Sequence, residues 1–303
     1  MAVSDYQVHS WKDDYTIYLS QLYTLYSPNI SLRNQLCDRG YVGYPDPKYE
    51  GRDGTFMPDI LSFSDQGDVQ HIEIVCQELN KSDSPDEVRE RIGEIAKYDE
   101  ISDEMVTDYL NKRNHPDFSP VSHELVAVIP DELIQEHQAA VIDAAAARDI
   151  IVWALKPNGA VSISKEQGEH NNMTLEKAVG SGLQTSPHGN DLLQFTRKTD
   201  SNLIKFEFTQ RLLSYCAKER KREFTFDEVD EVMIDQRPPM LWQLTEEERE
   251  GHWRDCLYAM LERFNVIEQT ESSTYRWRKK KLLKEPRHQN RVIDSVAEKL
   301  GLD

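Results

Sequence analysis

Cysteine is scarce in this chain: Cys37, Cys76, Cys216 and Cys256 lie far apart, and no two form a C-x-x-C pair. That excludes a disulfide-stapled secreted module and a cysteine-based zinc module, and it predicts reduced thiols at core or near-core positions. Long apolar runs are missing too; none approaches the roughly 20 residues that a membrane-spanning helix requires. Met1-Ala2-Val3-Ser4-Asp5 has neither a basic start nor an apolar core, so no secretory signal is read there and a cytoplasmic location is expected. There is no Walker A loop, no G-x-G-x-x-G and no H-E-x-x-H, and Glu136-His137 is not followed by a second His at helical spacing. ATP use, dinucleotide use and zincin-type hydrolysis therefore lose their usual sequence signals. A Ser or Cys nucleophile triad likewise has no supporting signature.

Positive charge is in short supply, with 36 Lys and Arg against 54 Asp and Glu, for a net charge of -18. Whole-chain attraction to nucleic acid is disfavoured on that count. The distribution matters more than the sum. Acidic residues dominate between Asp83 and Asp108, whereas Arg276, Arg278, Lys279, Lys280, Lys281, Lys284, Arg287 and Arg291 make the C-terminal stretch basic. Local patches bind phosphates.

What is present suffices for two domains in 303 residues. Residues 11–26 predict an amphipathic helix, with Tyr15, Tyr18, Leu19, Leu22, Tyr23 and Tyr26 at three- and four-residue spacing. Ser31 would cap a second helix running through Cys37 and closed by Gly40. A Gly/Pro/Asp-rich loop from Gly43 to Gly54 has the irregular composition of a segment bordering a site, or of an ordinary connection. Two short strands follow, Ile60-Leu61-Ser62-Phe63 and Gln70 to Cys76, across a polar turn at residues 65–68. Ser84-Pro85-Asp86-Glu87 reads as a capped helix start. Residues 124–130 and 150–155 read as buried strands joined by a helix from Asp131 to Arg148; such a crossover predicts parallel pairing.

Asp59 opens the first of the paired strands and Glu73 stands in the middle of the second. On adjacent strands the two carboxylates could point at one spot, a hard-oxygen site suited to Mg²⁺ or Mn²⁺. Gln77 falls on the face of Glu73, two pleats on, and would line that site. His71 shares the face as well; it reads as an ordinary strand histidine that could also neighbour a metal. The Pro58-Asp59 pair, Glu73, the element Glu94-Ile95-Ala96-Lys97-Tyr98 and the order of the later strands resemble the PD-(D/E)xK nuclease superfamily over about residues 32–155. The resemblance implies an α/β fold with a restriction-endonuclease-like mixed sheet flanked by helices over residues 1–157. It also implies metal-dependent hydrolysis of phosphodiester bonds, with Asp59 and Glu73 holding the ion. This chain departs from the pattern at the family's lysine, where Val75 stands. Lys97 is the replacement amine suggested by its place on the following helix, ahead of Lys81. A nuclease fold that keeps DNA binding or complex assembly without chemistry is the competing expectation.

Residues 158–201, rich in Gly, Ser, Asn, Gln and His, read as a polar linker with one short helix near Thr174 to Val179. Residues 202–303 form the second domain. Helices are expected from Phe206 to Arg220, from the capping box Thr225-Phe226-Asp227-Glu228, and from about Thr245 to Phe264. A hairpin at Val266 to Gln269 and Thr274 to Arg278 would follow. Three helices and a hairpin resemble a winged helix, an α+β domain. That resemblance would put Arg254 of the third helix toward the major groove and Arg276 and Arg278 of the wing on the backbone. Lys279, Lys280 and Lys281 would add sequence-blind phosphate contacts. The expected partner is nucleic acid, in particular DNA, with a homodimer or multi-protein complex compatible and no membrane. A transcriptional regulator acting through this domain is a further alternative.

Overall fold

Local capping chemistry sets where the helices begin in the computed structural model, which describes residues 14–27, 35–52, 54–64, 70–76, 79–113, 120, 122–156, 162–185, 193–236 and 239–301. Ser84 caps the helix Pro85–Ile95 by accepting from the Glu87 N–H, while the Glu87 carboxylate accepts from the Ser84 N–H, a complete capping box. The same reciprocal pair starts helices at Thr225 with Glu228 and at Thr245 with Glu248. The chain divides into two compact units, Ile17–Leu192 on one side and Leu193–Asp303 with the segment up to Thr16 on the other.

The first unit follows α1 (Asp14–Tyr23) with β1 (Tyr41–Pro45), a small ribbon of β2 (Tyr49–Glu50) and β3 (Thr55–Phe56), then β4 (Ile60–Ser64) and β5 (Gln70–Cys76). After these come α2 (Pro85–Ile95), α3 (Asp103–Asn111), β6 (Ser122–Pro130), α4 (Asp131–Ala146), β7 (Ile151–Leu155), β8 (Ile163–Gln167) and α5 (Met173–Gly180). Six strands form one mixed sheet in the order β1-β4-β5-β6-β7-β8, flanked by helices, which makes the unit α/β. Pairing is antiparallel from β1 to β5, parallel across β5, β6 and β7, and antiparallel again at β8. The parallel pair expected around α4 is therefore present. Gly43 on β1 lets the strand pass Tyr26: a Cβ there would meet the ring at 2.5 Å.

One sheet face, carrying Leu61, Phe63, Val75, Leu125, Ala127 and Ile129, packs against Val88, Ile92 and Ile95 of α2 and Val106, Tyr109 and Leu110 of α3. The three- and four-residue spacing on α2 turns a single stripe inward. Each such side chain, fully buried, stabilises by about 1.5–3 kcal/mol relative to exposure. His71 and Glu73 project from the same face of β5, because residues alternate sides along a strand.

Two expectations need adjustment. Within the segment read as a linker, the expected short helix is present at residues 173–180, and residues 163–167 are in addition an edge strand. That helix is capped by Asn172, whose Oδ1 accepts from the N–H groups of Thr174 and Leu175, and Thr174 itself lies inside. The helix expected from Ser31 falls largely outside the described residues; its end is a short turn, Cys37–Arg39, closed by Gly40 in the left-handed region at φ 75°.

The second unit runs α6 (Ser201–Lys218), β9 (Glu223–Thr225), α7 (Phe226–Asp235), α8 (Glu246–Tyr258), β10 (Ile267–Glu271), β11 (Thr274–Trp277) and α9 (Pro286–Leu300). The three helices and the hairpin expected from sequence are there, and β9 and α9 add to them. The three strands pair antiparallel in the order β10-β11-β9. Asp230 on α7 clamps α8, accepting from Arg249 Nε at 2.8 Å, Arg249 Nη2 at 2.9 Å and Trp253 Nε1 at 2.8 Å. Among the described residues no helix is long and apolar enough to cross a membrane.

Candidate metal centre

The strand register gathers the polar side chains of the core face. On β5, Glu73 lies opposite Leu61 of β4 and Leu125 of β6, and His71 lies opposite Phe63 and His123. Glu73 and His71 are both fully buried, in a neighbourhood otherwise apolar. A carboxylate in such a place is costly unless other groups satisfy it. Tyr49 on β2 donates to Glu73, with its hydroxyl 3.0 Å from Oε1 and 3.3 Å from Oε2. His71 Nδ1 stands 3.5 Å from Glu73 Oε1 without forming a hydrogen bond. Burial holds the Glu73 carboxyl above its ordinary range, partly offset by His71 and by the Tyr49 hydroxyl. The phenol of Tyr49 is pushed well above its usual value, by burial first and then by the Glu73 charge.

The imidazoles of His71 and His123 stack, with centroids 4.4 Å apart and planes within 4°. Ligand atoms of His71, Glu73 and His123 all lie within 4.8 Å of one another. Around them stands a second ring of groups: the Asp103 carboxylate lies 3.1 Å from His71 Nε2, and an Asp99 oxygen 3.9 Å from His123 Nδ1. Among the described residues, His71 Nδ1 and His123 Nε2 have no hydrogen-bond partner although both atoms are buried. Burial, reinforced by the His71 charge, pushes His123 down to about 4, so its ring is neutral near pH 7. Two imidazole nitrogens and one carboxylate oxygen form a donor set for divalent transition ions.

The residues singled out from sequence are distributed as follows. Glu73 is in this cluster. Asp59 is buried at the start of β4, where its Oδ2 accepts the Cys76 N–H at 2.7 Å and ties down the end of β5. Gln77 lies outside the described residues. Val75 is packed in the apolar core. Lys97 is exposed on the turn Ala96–Glu100, its amine 5.1 Å from the Tyr98 ring centre. His123, Asp103 and Asp99 were not singled out; His123 joins the site only through the β5–β6 register, which no local pattern announces. Tyr49 lies in the segment from Gly43 to Gly54, whose composition fitted a site border and an ordinary connection equally.

The second unit carries a separate feature. Arg278, Lys279, Lys280, Lys281, Arg291 and Lys299 line a groove of about 690 Å³, with Leu282, Val292 and Phe264 among its apolar parts. Among the described residues, Lys279, Lys280, Lys281 and Arg291 have no carboxylate partner in ion-pair range. Arg276 is held by Glu268 at 2.7 Å and lies 3.7 Å from Glu223. Arg254 is exposed, paired with Glu250 at 3.1 Å and over the Phe226 ring. No family model, curated protein or solved structure matches this chain.

Proposed function

We propose that this protein binds nucleic acid through its phosphate backbone, with the second unit making the contacts and the mixed-sheet unit a nuclease-like scaffold. The observation that carries the reading is the groove lined by Lys279, Lys280, Lys281 and Arg291, which have no carboxylate partner among the described residues, in a chain of net charge -18. Such a concentration of unneutralised cations gives affinity that falls steeply with salt and is largely blind to sequence. The element order helix, strand, two helices and hairpin, with β9 against β11, supports a winged-helix reading. The acidic first turn of α8, Glu246 to Glu248, weighs against deep insertion of that helix, so the contact surface is the groove with the end of the hairpin.

Fluorescence anisotropy of labelled single- and double-stranded DNA against salt concentration tests this. Replacing Lys279, Lys280 and Lys281 together by Ala should lower affinity at least tenfold and reduce the salt slope by about three. Binding that is absent, or that survives the triple replacement unchanged, sinks the proposal.

A second reading is Mg²⁺- or Mn²⁺-dependent phosphodiester hydrolysis by the sheet unit, with Asp59 and Glu73 as ligands, Gln77 lining the site and Lys97 as amine. Its support is the register: Leu61 lies opposite Glu73, so Asp59, two residues earlier, belongs to the same sheet face. The core placement of Val75 and the exposure of Lys97 count against an amine at the reacting centre. Metal-dependent cleavage lost in both Asp59→Ala and Glu73→Ala would favour it.

A further inference from the structure

We infer that His71, Glu73 and His123 form a binding site for a divalent transition ion of zinc type, a ligand set that excludes Asp59. One ring nitrogen of His71, Nε2, lies 3.1 Å from the Asp103 carboxylate, and the other, Nδ1, faces Glu73 Oε1 at 3.5 Å without a hydrogen bond. A buried ring nitrogen and a buried carboxylate oxygen at that separation are donor atoms that a bound cation would pair. His123 Nε2 beside them is a further buried atom with no hydrogen-bond partner among the described residues. A single ion would satisfy all three.

The surrounding groups are arranged as a metal site's outer shell is arranged. The carboxylate on the far nitrogen of His71 fixes the tautomer and orients the ring, and the Tyr49 hydroxyl holds the Glu73 carboxylate. An Asp99 oxygen lies 3.9 Å from His123 Nδ1, beyond hydrogen-bond range. Three protein ligands leave a fourth position for water or another small ligand. His123, with 17% of its side chain exposed, provides the route in from solvent. Two imidazoles favour zinc-type ions over Mg²⁺, which prefers oxygen ligands and retains water.

The stacked rings define the movement required. Parallel planes direct the two lone pairs alongside one another, so His123 must tilt to share an ion with His71. Tetrahedral zinc sets its ligand atoms roughly 3.3 Å apart, against the present spread within 4.8 Å. The partly exposed His123 is the member free to make that adjustment.

The test uses the full chain, stripped with chelator and titrated with Co²⁺ alone and then Zn²⁺ alone, followed by visible absorption and calorimetry. One Co²⁺ per chain with ligand-field absorption, displaced by Zn²⁺ and not by Mg²⁺, is expected. Zn²⁺ should raise the Tm. His123→Ala and Glu73→Gln should each weaken binding at least tenfold, and Asp59→Asn should leave it unchanged. Asp103→Asn, at an exposed carboxylate whose loss the fold tolerates, should weaken it about tenfold through the His71 ring. Absence of the ligand-field band, or stoichiometric binding unchanged in both His123→Ala and Asp103→Asn, overturns the assignment. Loss of all metal binding in Asp59→Asn would overturn it in favour of the Asp59–Glu73 site.

Discussion

On one face of the six-stranded sheet, Glu124 of β6 accepts from His170 Nδ1 at 2.6 Å and from the Asn171 N–H at 2.6 Å, while His170 Nε2 accepts from Trp153 Nε1 at 3.1 Å. On the other face, Glu73 has the Tyr49 hydroxyl, and His71 Nδ1 and His123 Nε2 have no hydrogen-bond partner among the described residues. Both sites combine a buried carboxylate with histidine. In the first, every polar atom has a partner and the tautomer of His170 is fixed by its two neighbours, so the network is complete as protein alone. In the second, the same residue types leave buried ring nitrogens without a hydrogen-bond partner among the described residues. A carboxylate beside a histidine is thus no sign of a site; the state of the remaining nitrogen decides.

Glu124→Ala should produce the largest effect of the variants that break this contrast. It strands the His170 and Asn171 donors in a closed network and should cost about 3 kcal/mol in denaturant unfolding. Tyr49→Phe removes the hydroxyl that satisfies Glu73 and should cost about 1.5 kcal/mol in the same measurement. Glu73→Gln sharpens the comparison through its sign. The amide removes a charge that burial disfavours and offers an N–H to His71 Nδ1, so metal-free stability should rise by up to about 1 kcal/mol. Glu124→Gln should lower it.

The Asp230 clamp supplies a control in the other unit. Hydrogen bonds from Arg249, ahead of those from Trp253, hold its carboxyl below the ordinary range. Its contribution is therefore present above the usual carboxyl value and lost as pH falls through the lowered one. Asp230→Asn should be modestly less stable near neutrality and show a shallower loss of stability in acid, by thermal melts across pH. A full acid slope in that variant would place the acid-sensitive group elsewhere.

Features written in a few neighbouring residues were legible in the sequence. Ser84 with Glu87 and Thr225 with Glu228 announce helix starts because both partners sit three residues apart. His71 and Glu73 could be put on one face from alternation alone. What depended on distant pairing could not be read: His123 meets His71 only once β6 has crossed to lie beside β5. The edge strand β8 was hidden because only Ile163 in it is fully buried, leaving a polar run that resembles a connection. β9 was hidden by its length of three residues.

The position of β5 also bears on the order in which the molecule assembles. It is the strand at which the sheet changes from antiparallel to parallel. Its pairing with β4 closes a short loop, whereas its pairing with β6 waits on the crossover through α2 and α3, and closing the longer loop costs more chain entropy. Glu73 and His71, two residues apart on β5, share a face whatever the strand pairs with, whereas His123 joins them only when β6 pairs with β5. A spectroscopic ion that needs all three would act as a clock for the last join of the sheet.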